Sequence, residues 1–288
     1  MTRSILPVAV VVLALLATWY VAAVWLNADA AHAQAERAGE RAAIGRLLSA
    51  TMSQRRPVLP APHQVAAEIW TTTVETPPGS PRSLLFHGWA TLSATLLGFV
   101  IGTALGIGLA VLIVHSRAME LSLMPWVNAS QAIPILVIAP MIIVVLHAVG
   151  IAGLLPKALI ATYLSVFPVT IGMAAGLRAP QRLQLDLMRT YDARAAQTLV
   201  KLRWPAATPY LFSALKVAIA ASLAGVIVGE LPTGAAAGLG ARLLAGSYHG
   251  QTVQIWSALI AAAALAGVLA GLVGLANRIA LRRMGMAR

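Results

Sequence analysis

The residue types that carry catalysis are sparse in this chain, and their spacing fits none of the common catalytic constellations. A phosphate-binding P-loop needs a glycine-rich turn that ends in Gly-Lys-Ser/Thr, but Lys157, Lys201 and Lys216 follow proline, valine and leucine. Cysteine is absent, no His-Glu-x-x-His motif occurs, and the six histidines do not lie at metal-ligand spacing. No Ser/His/Asp arrangement is legible either. We therefore expect no enzymatic activity, no catalytic residue, and no cofactor or metal bound by this chain.

Composition identifies an integral membrane protein. Of the 288 residues, 59% are hydrophobic and only 10% are charged, whereas a soluble domain carries about 25% charged residues. A net charge of +12 would suit nucleic acid only if it were concentrated on a solvated face. Here the charges are few and lie between long apolar runs, so we expect the lipid bilayer as a partner and no nucleic acid.

Long stretches without charged residues predict the membrane-spanning helices. A helix needs about 20 apolar residues to cross the hydrocarbon core of a bilayer. We therefore expect an all-α polytopic membrane protein with about six transmembrane helices, at residues 5–26, 87–114, 124–146, 157–177, 210–231 and 253–276.

The connections between these spans predict the orientation of the chain. Segment 178–209 has six basic and two acidic residues, and the tail 278–288 has four basic residues and no acidic one. Because short cytoplasmic connections are enriched in Lys and Arg, both are expected inside. The longer segment 27–85 is nearly neutral, with six basic and five acidic residues, and is expected outside. Six crossings then leave both termini in the cytoplasm.

Four parts of the chain follow from these spans. We expect an N-terminal transmembrane helix at 1–26, an extracytoplasmic segment and linker at 27–85, a transmembrane domain at 86–280 with a cytoplasmic loop at 179–209, and a basic cytoplasmic tail at 281–288. The first helix has a second interpretation, a signal peptide cleaved near Ala31-His32-Ala33, although its apolar run exceeds the usual 7–15 residues. Segment 27–85 is either a helix with a linker or a docking surface for a partner.

The cytoplasmic loop contains an amphipathic pattern. Apolar residues recur at near-helical spacing with Arg and Lys between them, at Leu185, Met188, Ala195, Leu199 and Leu202. Two prolines follow, at 205 and 209, and are expected to end the helical pattern. Two interpretations are open: a helix in the headgroup interface whose basic residues meet anionic lipid, or a docking element for a cytoplasmic partner.

The same loop resembles the EAA loop of binding-protein-dependent ABC importer permeases. That pattern reads Glu-Ala-Ala, three residues, Gly, nine residues and Ile-x-Leu-Pro. Here residues 186–188 (Asp-Leu-Met) hold the opening positions, Asp192 holds the glycine position and Leu202 to Pro205 hold the end, with the spacing kept. Aspartate departs from the pattern, but it is one of the few residues that adopt a left-handed backbone, so we expect the turn to form.

Other short motifs extend the resemblance over residues 84–280, in the family's order and spacing: Gly98–Gly106, Ile133–Pro140, Phe167-Pro168 and Gly238–Gly240. The chain is most similar to nitrate, sulfonate and taurine permeases. The resemblance implies the type I importer permease core in the bacterial inner membrane. It also implies a second permease copy or a paralogous permease, ABC ATPase subunits that bind ATP, and a periplasmic binding protein. The ATPase contact that it implies consists of Asp186, Leu187, Met188, Tyr191, Asp192, Ala193, Leu202 and Pro205.

Polar side chains within predicted spans are candidates for the translocation path. They are Asn128, Ser130 and Gln131 in the third span, Tyr163 and Thr170 in the fourth, and Glu230 at the outer end of the fifth. Glu230 has two interpretations, a carboxylate in water at the interface or a group on the outer gate or substrate path.

Glycines recur on one face of two spans, at 98, 102 and 106 and again at 267, 271 and 274. Small residues at this spacing let helices approach closely, so we interpret both sets as packing faces. A pore-lining stripe is the alternative for the first set.

A stand-alone secondary transporter is the alternative function. Such a protein would show inverted repeats and charge relays within the membrane, and the sequence shows neither. Segment 234–256, rich in small residues, is a candidate gate by analogy with the family. The substrate stays open: Gly229–Leu244 resembles permeases for pyrimidine-type or thiamine-precursor compounds, while sulfonates, taurine and nitrate are the other possibilities.

Overall fold

The computed structural model describes residues 2–37, 49–231 and 237–285, and its regular elements in these ranges are helices. The all-α expectation is therefore confirmed. The helices are α1 (Thr2–Arg37), α2 (Pro62–Trp70), α3 (Leu84–His115), α4 (Arg117–Ser130), α5 (Ile135–Ala148), α6 (Leu154–Leu177), α7 (Arg182–Thr190), α8 (Ala195–Thr198), α9 (Trp204–Glu230), α10 (Leu239–Tyr248) and α11 (Thr252–Arg283). Single π-helical turns follow α2 at Thr71–Glu75 and α8 at Leu199–Arg203.

The number of membrane spans agrees with the sequence. In the described ranges, α1, α3, α6, α9 with the turns before it, and α11 are long and apolar enough to cross a bilayer, and α4 with α5 makes a sixth candidate. The span predicted over 124–146 is not one continuous helix, because α4 and α5 are bent by 101° across a four-residue break. Pro134 ends this break; it lacks a backbone N–H and disfavours helical backbone in the residue before it.

The described chain forms two compact units. The first contains the residues up to 87 together with 242–261, and its centre is Asn27 of α1. The buried side chain of Asn27 accepts the N–H of Val58 at 2.7 Å and donates to the carbonyl of Leu59 at 2.8 Å. Trp19 donates to the carbonyl of Pro60 at 3.0 Å. These bonds fix a proline-containing segment that cannot satisfy its polar groups as a helix.

The second unit contains the described residues of 88–241 and of 262–285, and in it α3 lies very close to α6. A Cβ atom built on Gly102 would lie 2.6 Å from the hydroxyl of Ser165 and 2.7 Å from the carbonyl of Thr162. Thr162 in turn donates to the carbonyl of Gly98 at 3.2 Å. The packing interpretation of this glycine face is confirmed, because only a residue without a side chain fits so close to the opposite backbone.

The second glycine face behaves differently. Leu269 of α11 is buried with Ile219 and Leu223 of α9, but a Cβ on Gly267 or Gly271 would meet no atom within 4 Å. The prediction that these glycines pack against another helix is wrong for Gly267 and Gly271 within the described chain, whereas a Cβ on Gly274 would lie 3.7 Å from Cε of Lys216 in α9, an ordinary contact. The buried positions of α11 are instead Ser257, Ala258, Ala262 and Leu269.

The α3–α6 contact yields a paired prediction. Gly102→Ala is expected to destabilise the protein by about 1–3 kcal/mol, because the added methyl group forces the helices apart. Gly108→Ala, on the same helix with open space around the new Cβ, is expected to be neutral or to stabilise by up to about 1 kcal/mol through helix propensity. Thermal unfolding of the purified chain in detergent measures both changes. Equal effects of the two substitutions would contradict the close contact.

Candidate functional site

The loop at 179–209, which the sequence predicts to be cytoplasmic, begins with two short helices that start in the same way. At the start of α7, Gln184 accepts the N–H of Gln181 at 2.9 Å; at the start of α8, Gln197 accepts the N–H of Arg194 at 2.8 Å. In each case a side chain three residues into the helix bonds back to the residue before it, as in one half of a capping box. Local sequence therefore defines both starts.

Asp192 makes the turn between these helices. Its φ is +50°, and among the described residues it is the only non-glycine with a positive φ. Its N–H donates to the carbonyl of Arg189 at 2.9 Å, and the N–H of Ala193 donates to the carbonyl of Met188 at 3.0 Å. These two bonds form a Schellman motif, in which the left-handed position is usually glycine. The expectation that aspartate would preserve this turn is confirmed.

One face of α7 exposes large apolar side chains. Leu183, Leu187 and Tyr191 recur every fourth residue, and they are 80%, 56% and 76% exposed. We call these three residues the α7 ridge. The remaining residues of the predicted ATPase contact are half-buried, namely Met188, Ala193, Leu202 and Pro205, or exposed, namely Asp186 and Asp192. Leu187 and Tyr191 of the α7 ridge belong to the predicted ATPase contact, whereas Leu183 was missed, although its spacing of four residues from Leu187 was a signal.

The loop leads into the fifth span without interruption. α8, the π-helical turn and α9 follow one another directly, so the prediction that Pro205 and Pro209 end the helical pattern is wrong. Pro205 is the second residue of α9 and comes directly after the π-helical turn, so the helical chain continues through it. Pro209 lies within α9. The second half of the loop and the fifth span therefore form one continuous helical stretch from Ala195 to Glu230.

A buried ion pair lies at the other end of α9. The carboxylate of Glu230 is fully buried, and one oxygen is 3.1 Å from the ammonium of Lys157 in α6. The other oxygen accepts the N–H of Gly240 at 2.9 Å, at the start of α10. The hydroxyl of Thr91 in α3 lies 3.0 and 3.1 Å from the two oxygens. The interpretation of Glu230 as a carboxylate in water is therefore wrong.

The partners of Glu230 are themselves held by the chain that follows α9. Lys157 also donates to the carbonyl of Ala237 at 2.7 Å, and Thr91 accepts the N–H of Leu239 at 2.9 Å. Gly238 has a φ of +139°, and a side chain at this position would overlap the carboxylate of Glu230. The site therefore joins α3, α6, α9 and the start of α10. Of the candidate gate segment 234–256, residues 234–236 lie outside the described residues.

Sequence reasoning missed Lys157, although a signal was present. Lys157 and Glu230 lie at the outer ends of the predicted spans 157–177 and 210–231. The predicted topology thus puts opposite charges at one depth in the membrane. What it does not give is the angular position of each residue around its helix.

The other candidates for the translocation path fall into two groups. Tyr163 donates its hydroxyl to the carbonyl of Ser130 at 2.9 Å, so these two residues lie together, whereas Asn128 and Gln131 are exposed. Thr170 is buried and donates to the carbonyls of Val166 and Gly106. A path role for these residues, and for Glu230, stays a prediction. In the described ranges, no three His, Asp or Glu side chains are placed to hold a metal ion.

Comparison with known proteins covers most of this chain. Residues 102–286 match the family described as binding-protein-dependent transport system inner membrane component. The chain is 32% identical over 225 residues to the riboflavin transport system permease protein RibX of Chloroflexus aurantiacus, covering 78% of this chain and 80% of that protein. It is 30% identical over 203 residues to a probable ABC transporter permease protein of Haemophilus influenzae, covering 70% and 78%. It is also 30% identical over 194 residues to the formylaminopyrimidine transport permease protein ThiX of Halalkalibacterium halodurans, covering 67% and 72%.

The turn at Asp192 yields a prediction about local stability. Asp192→Gly is expected to stabilise the turn, because glycine adopts positive φ without the cost of about 1–2 kcal/mol that other residues incur. Asp192→Val is expected to destabilise it, because a β-branched side chain is the least suited to this backbone. Hydrogen exchange of the amides at Asp192 and Ala193 measures both effects. Faster exchange in the glycine variant than in the valine variant would contradict the left-handed turn.

The ion pair yields a prediction about coupling between two residues. Glu230→Gln or Lys157→Met alone is expected to destabilise the protein by about 3–5 kcal/mol, because each leaves an uncompensated buried charge. The double variant removes both charges and is expected to be more stable than either single variant. Thermal unfolding in detergent gives the three values. Simple addition of the two single effects would show that the charges do not depend on each other.

Proposed function

This chain belongs to the family of binding-protein-dependent transport system inner membrane components, and from this premise we propose that it is the permease subunit of an ATP-driven importer. In this proposal it translocates a small polar solute that a periplasmic binding protein delivers. Members of the family are permease components of transporters rather than enzymes, and the chain is a multi-pass inner-membrane protein.

The α7 ridge is the observation that carries this proposal. Leu183, Leu187 and Tyr191 are exposed on a loop that is otherwise rich in charge. Burial of apolar surface stabilises a contact by about 25 cal/mol per Å², so a partner that covers this face gains binding energy. We propose that the ridge enters a cleft on an ABC ATPase subunit.

The connection from α7 to the membrane supports transmission of movement. The Schellman motif at Asp192 fixes α7 relative to α8, and α8 continues through the π-helical turn into α9. The 27 residues of α9 extend about 40 Å at 1.5 Å per residue, about the full thickness of a bilayer with its headgroups. In this proposal, closure of the ATPases on ATP moves α7, and α9 carries that movement to the outer end of the span.

Partners and orientation complete the proposal. ATP is bound by two ATPase subunits, since this chain has no P-loop lysine, and the chain itself uses no cofactor. Two permease copies, or this chain with a paralogous permease, enclose the path. Both termini lie in the cytoplasm, which puts α7 on the same side as the ATPases. Within its described part, the basic tail after α11 also lies on this side, while residues 286–288 are outside the described ranges.

For the substrate we propose a pyrimidine-type heterocycle. Two similar proteins carry names that refer to riboflavin and to formylaminopyrimidine, and both of these compounds contain a pyrimidine ring. Competition of labelled riboflavin or formylaminopyrimidine uptake by unlabelled sulfonates, taurine and nitrate distinguishes the substrate classes. Uptake of labelled sulfonate, taurine or nitrate without uptake of either labelled heterocycle would reject the heterocycle and retain the importer.

A stand-alone secondary transporter is the second candidate. The observation that favours it is the buried Glu230–Lys157 pair, since charges within the membrane are used as relays in such proteins. Proteoliposomes that contain this chain alone separate the candidates. We expect neither ATP hydrolysis nor uptake from the chain alone, and uptake without ATPase subunits would favour the second candidate.

The α7 ridge predicts the effect of two matched substitutions. Leu187→Glu is expected to lower ATP-driven uptake about ten-fold or more, because a charge at the centre of an apolar contact disrupts it. Arg189→Gln, on the opposite face of α7 and likewise exposed, is expected to keep uptake near that of the parent protein. Proteoliposomes with the ATPase subunits and the binding protein give both rates, and co-purification of the ATPase reports assembly. Normal uptake by the Leu187→Glu protein would reject the ridge as the contact.

A further inference from the structure

An open cavity of about 350 Å³ lies within the first unit, in a part of the molecule that the proposed function does not use. Its size falls in the range of small-molecule sites. The residues that line it are mostly charged or carry amides: Arg55, Arg56, Glu68, Gln251, Val253 and Gln254. Such walls suit a polar ligand, and the net charge of the walls determines whether that ligand is an anion or a cation.

The carboxylate in the wall is already matched by a cation. Glu68 is 3.0 Å from a guanidinium nitrogen of Arg242, whose side chain is almost completely buried. Arg242 also donates to the carbonyl of Arg82 at 2.8 Å. Burial lowers the pKa of Arg242, and the nearby carboxylate acts in the opposite direction. Arg242 therefore neutralises the negative charge of Glu68, and this charge does not neutralise Arg55 or Arg56.

Arg55 and Arg56 carry the unbalanced charge. Both guanidinium groups are exposed, and neither makes a hydrogen bond or an ion pair with the part of the chain that the structure describes. Each presents a planar set of donors that matches the oxygens of a phosphate or a carboxylate. The cavity therefore has two free cations on its wall.

The backbone on either side of the two arginines is fixed. Gln54 is buried and donates to the carbonyl of Asn27 at 3.2 Å, and the carbonyl of Pro57 accepts the hydroxyl of Thr252 at 2.5 Å. The Asn27 contacts with residues 58 and 59 hold the chain immediately after. Because the arginines start from a fixed segment, less conformational entropy is lost when they bind an anion.

The start of α11 adds a weaker positive field to the cavity wall. Gln251 directly precedes α11, a helix of 32 residues, and Val253 and Gln254 lie in its first turn. The first N–H groups of a helix have no partner within it, and its N-terminal end favours negative charge. This wall reinforces the field of Arg55 and Arg56, which remain the main attraction.

We infer that this cavity binds one oxyanion group, a phosphate or a carboxylate, through Arg55 and Arg56. The group has two sources with the same chemistry, the headgroup of an anionic lipid and a dissolved anion. The two arginines precede the matched family region, which begins at residue 102, and the inference does not depend on the transport proposal.

The experiment uses the full chain in nanodiscs, with one arm for each source. In the first arm, nanodiscs of phosphatidylcholine mixed with phosphatidylglycerol are examined by native mass spectrometry for retained phosphatidylglycerol. In the second, inorganic phosphate is titrated by calorimetry into nanodiscs of phosphatidylcholine alone. Arg55→Gln and Arg56→Gln are each expected to weaken binding about ten-fold, the loss of a charge-assisted hydrogen bond. Binding of phosphatidylglycerol or of inorganic phosphate that both variants weaken supports the site, and the arm in which it occurs identifies the source of the oxyanion group.

The control is Arg82→Gln, which removes an exposed charge of the same unit outside the cavity. It is expected to bind as the parent protein does, and thermal unfolding checks that the three variants are folded. Absence of binding in both arms overturns the inference. An equal loss in the Arg82→Gln protein also overturns it, because attraction by general surface charge would then explain the binding.

Discussion

The ion pair between Glu230 and Lys157 is the constraint on which the second unit depends. Removing two charges from water costs several kcal/mol for each ion, and only close geometry with further hydrogen bonds compensates for this. Here the carboxylate also accepts from Thr91 and from the backbone of Gly240. Glu230 lies on α9 and its three partners lie on three other helices, so α3, α6, α9 and α10 have to meet at one point. The left-handed backbone of Gly238 follows from the same requirement, because a side chain there would occupy the place of the carboxylate.

The close approach of α3 and α6 complements this constraint. Without a hydrophobic driving force between helices in lipid, packing depends on small residues and on interhelical hydrogen bonds. Gly98 and Gly102 supply the first, and the hydroxyl of Thr162 supplies the second. α9 packs on α6 and joins the ion pair at its C-terminal end to the loop that contains α7 at its N-terminal end. A single helix, α9, thus connects the buried Glu230–Lys157 ion pair with the loop that has the exposed α7 ridge.

Sequence patterns predicted the features that depend on local chemistry. The number of spans follows from hydropathy, the turn at Asp192 follows from spacing and from the backbone tolerance of aspartate, and the Gly98–Gly106 face follows from small residues every fourth position. The predictions that were wrong concern where helices bend or continue and which residues contact each other. Hydropathy over 124–146 records composition but not the 101° bend at Pro134. Pro205 and Pro209 were expected to end the helical pattern, but the helical chain runs from Ala195 through both to Glu230, because a π-helical turn precedes Pro205.

The burial of Glu230 depended on information that no local pattern contains. An acidic residue at the end of a span is compatible with water, unless a cation from another helix reaches it, and Lys157 is 73 residues away along the chain. Arg55 and Arg56 show the opposite situation, charges that no other part of the described chain neutralises. Their positive charges have no acidic partner among the described residues, and in the proposed orientation they lie outside, where Lys and Arg are disfavoured in short connections. Glu230 shows that a buried charge in this fold receives a partner from the chain itself; the exposed arginines are free to receive theirs from elsewhere.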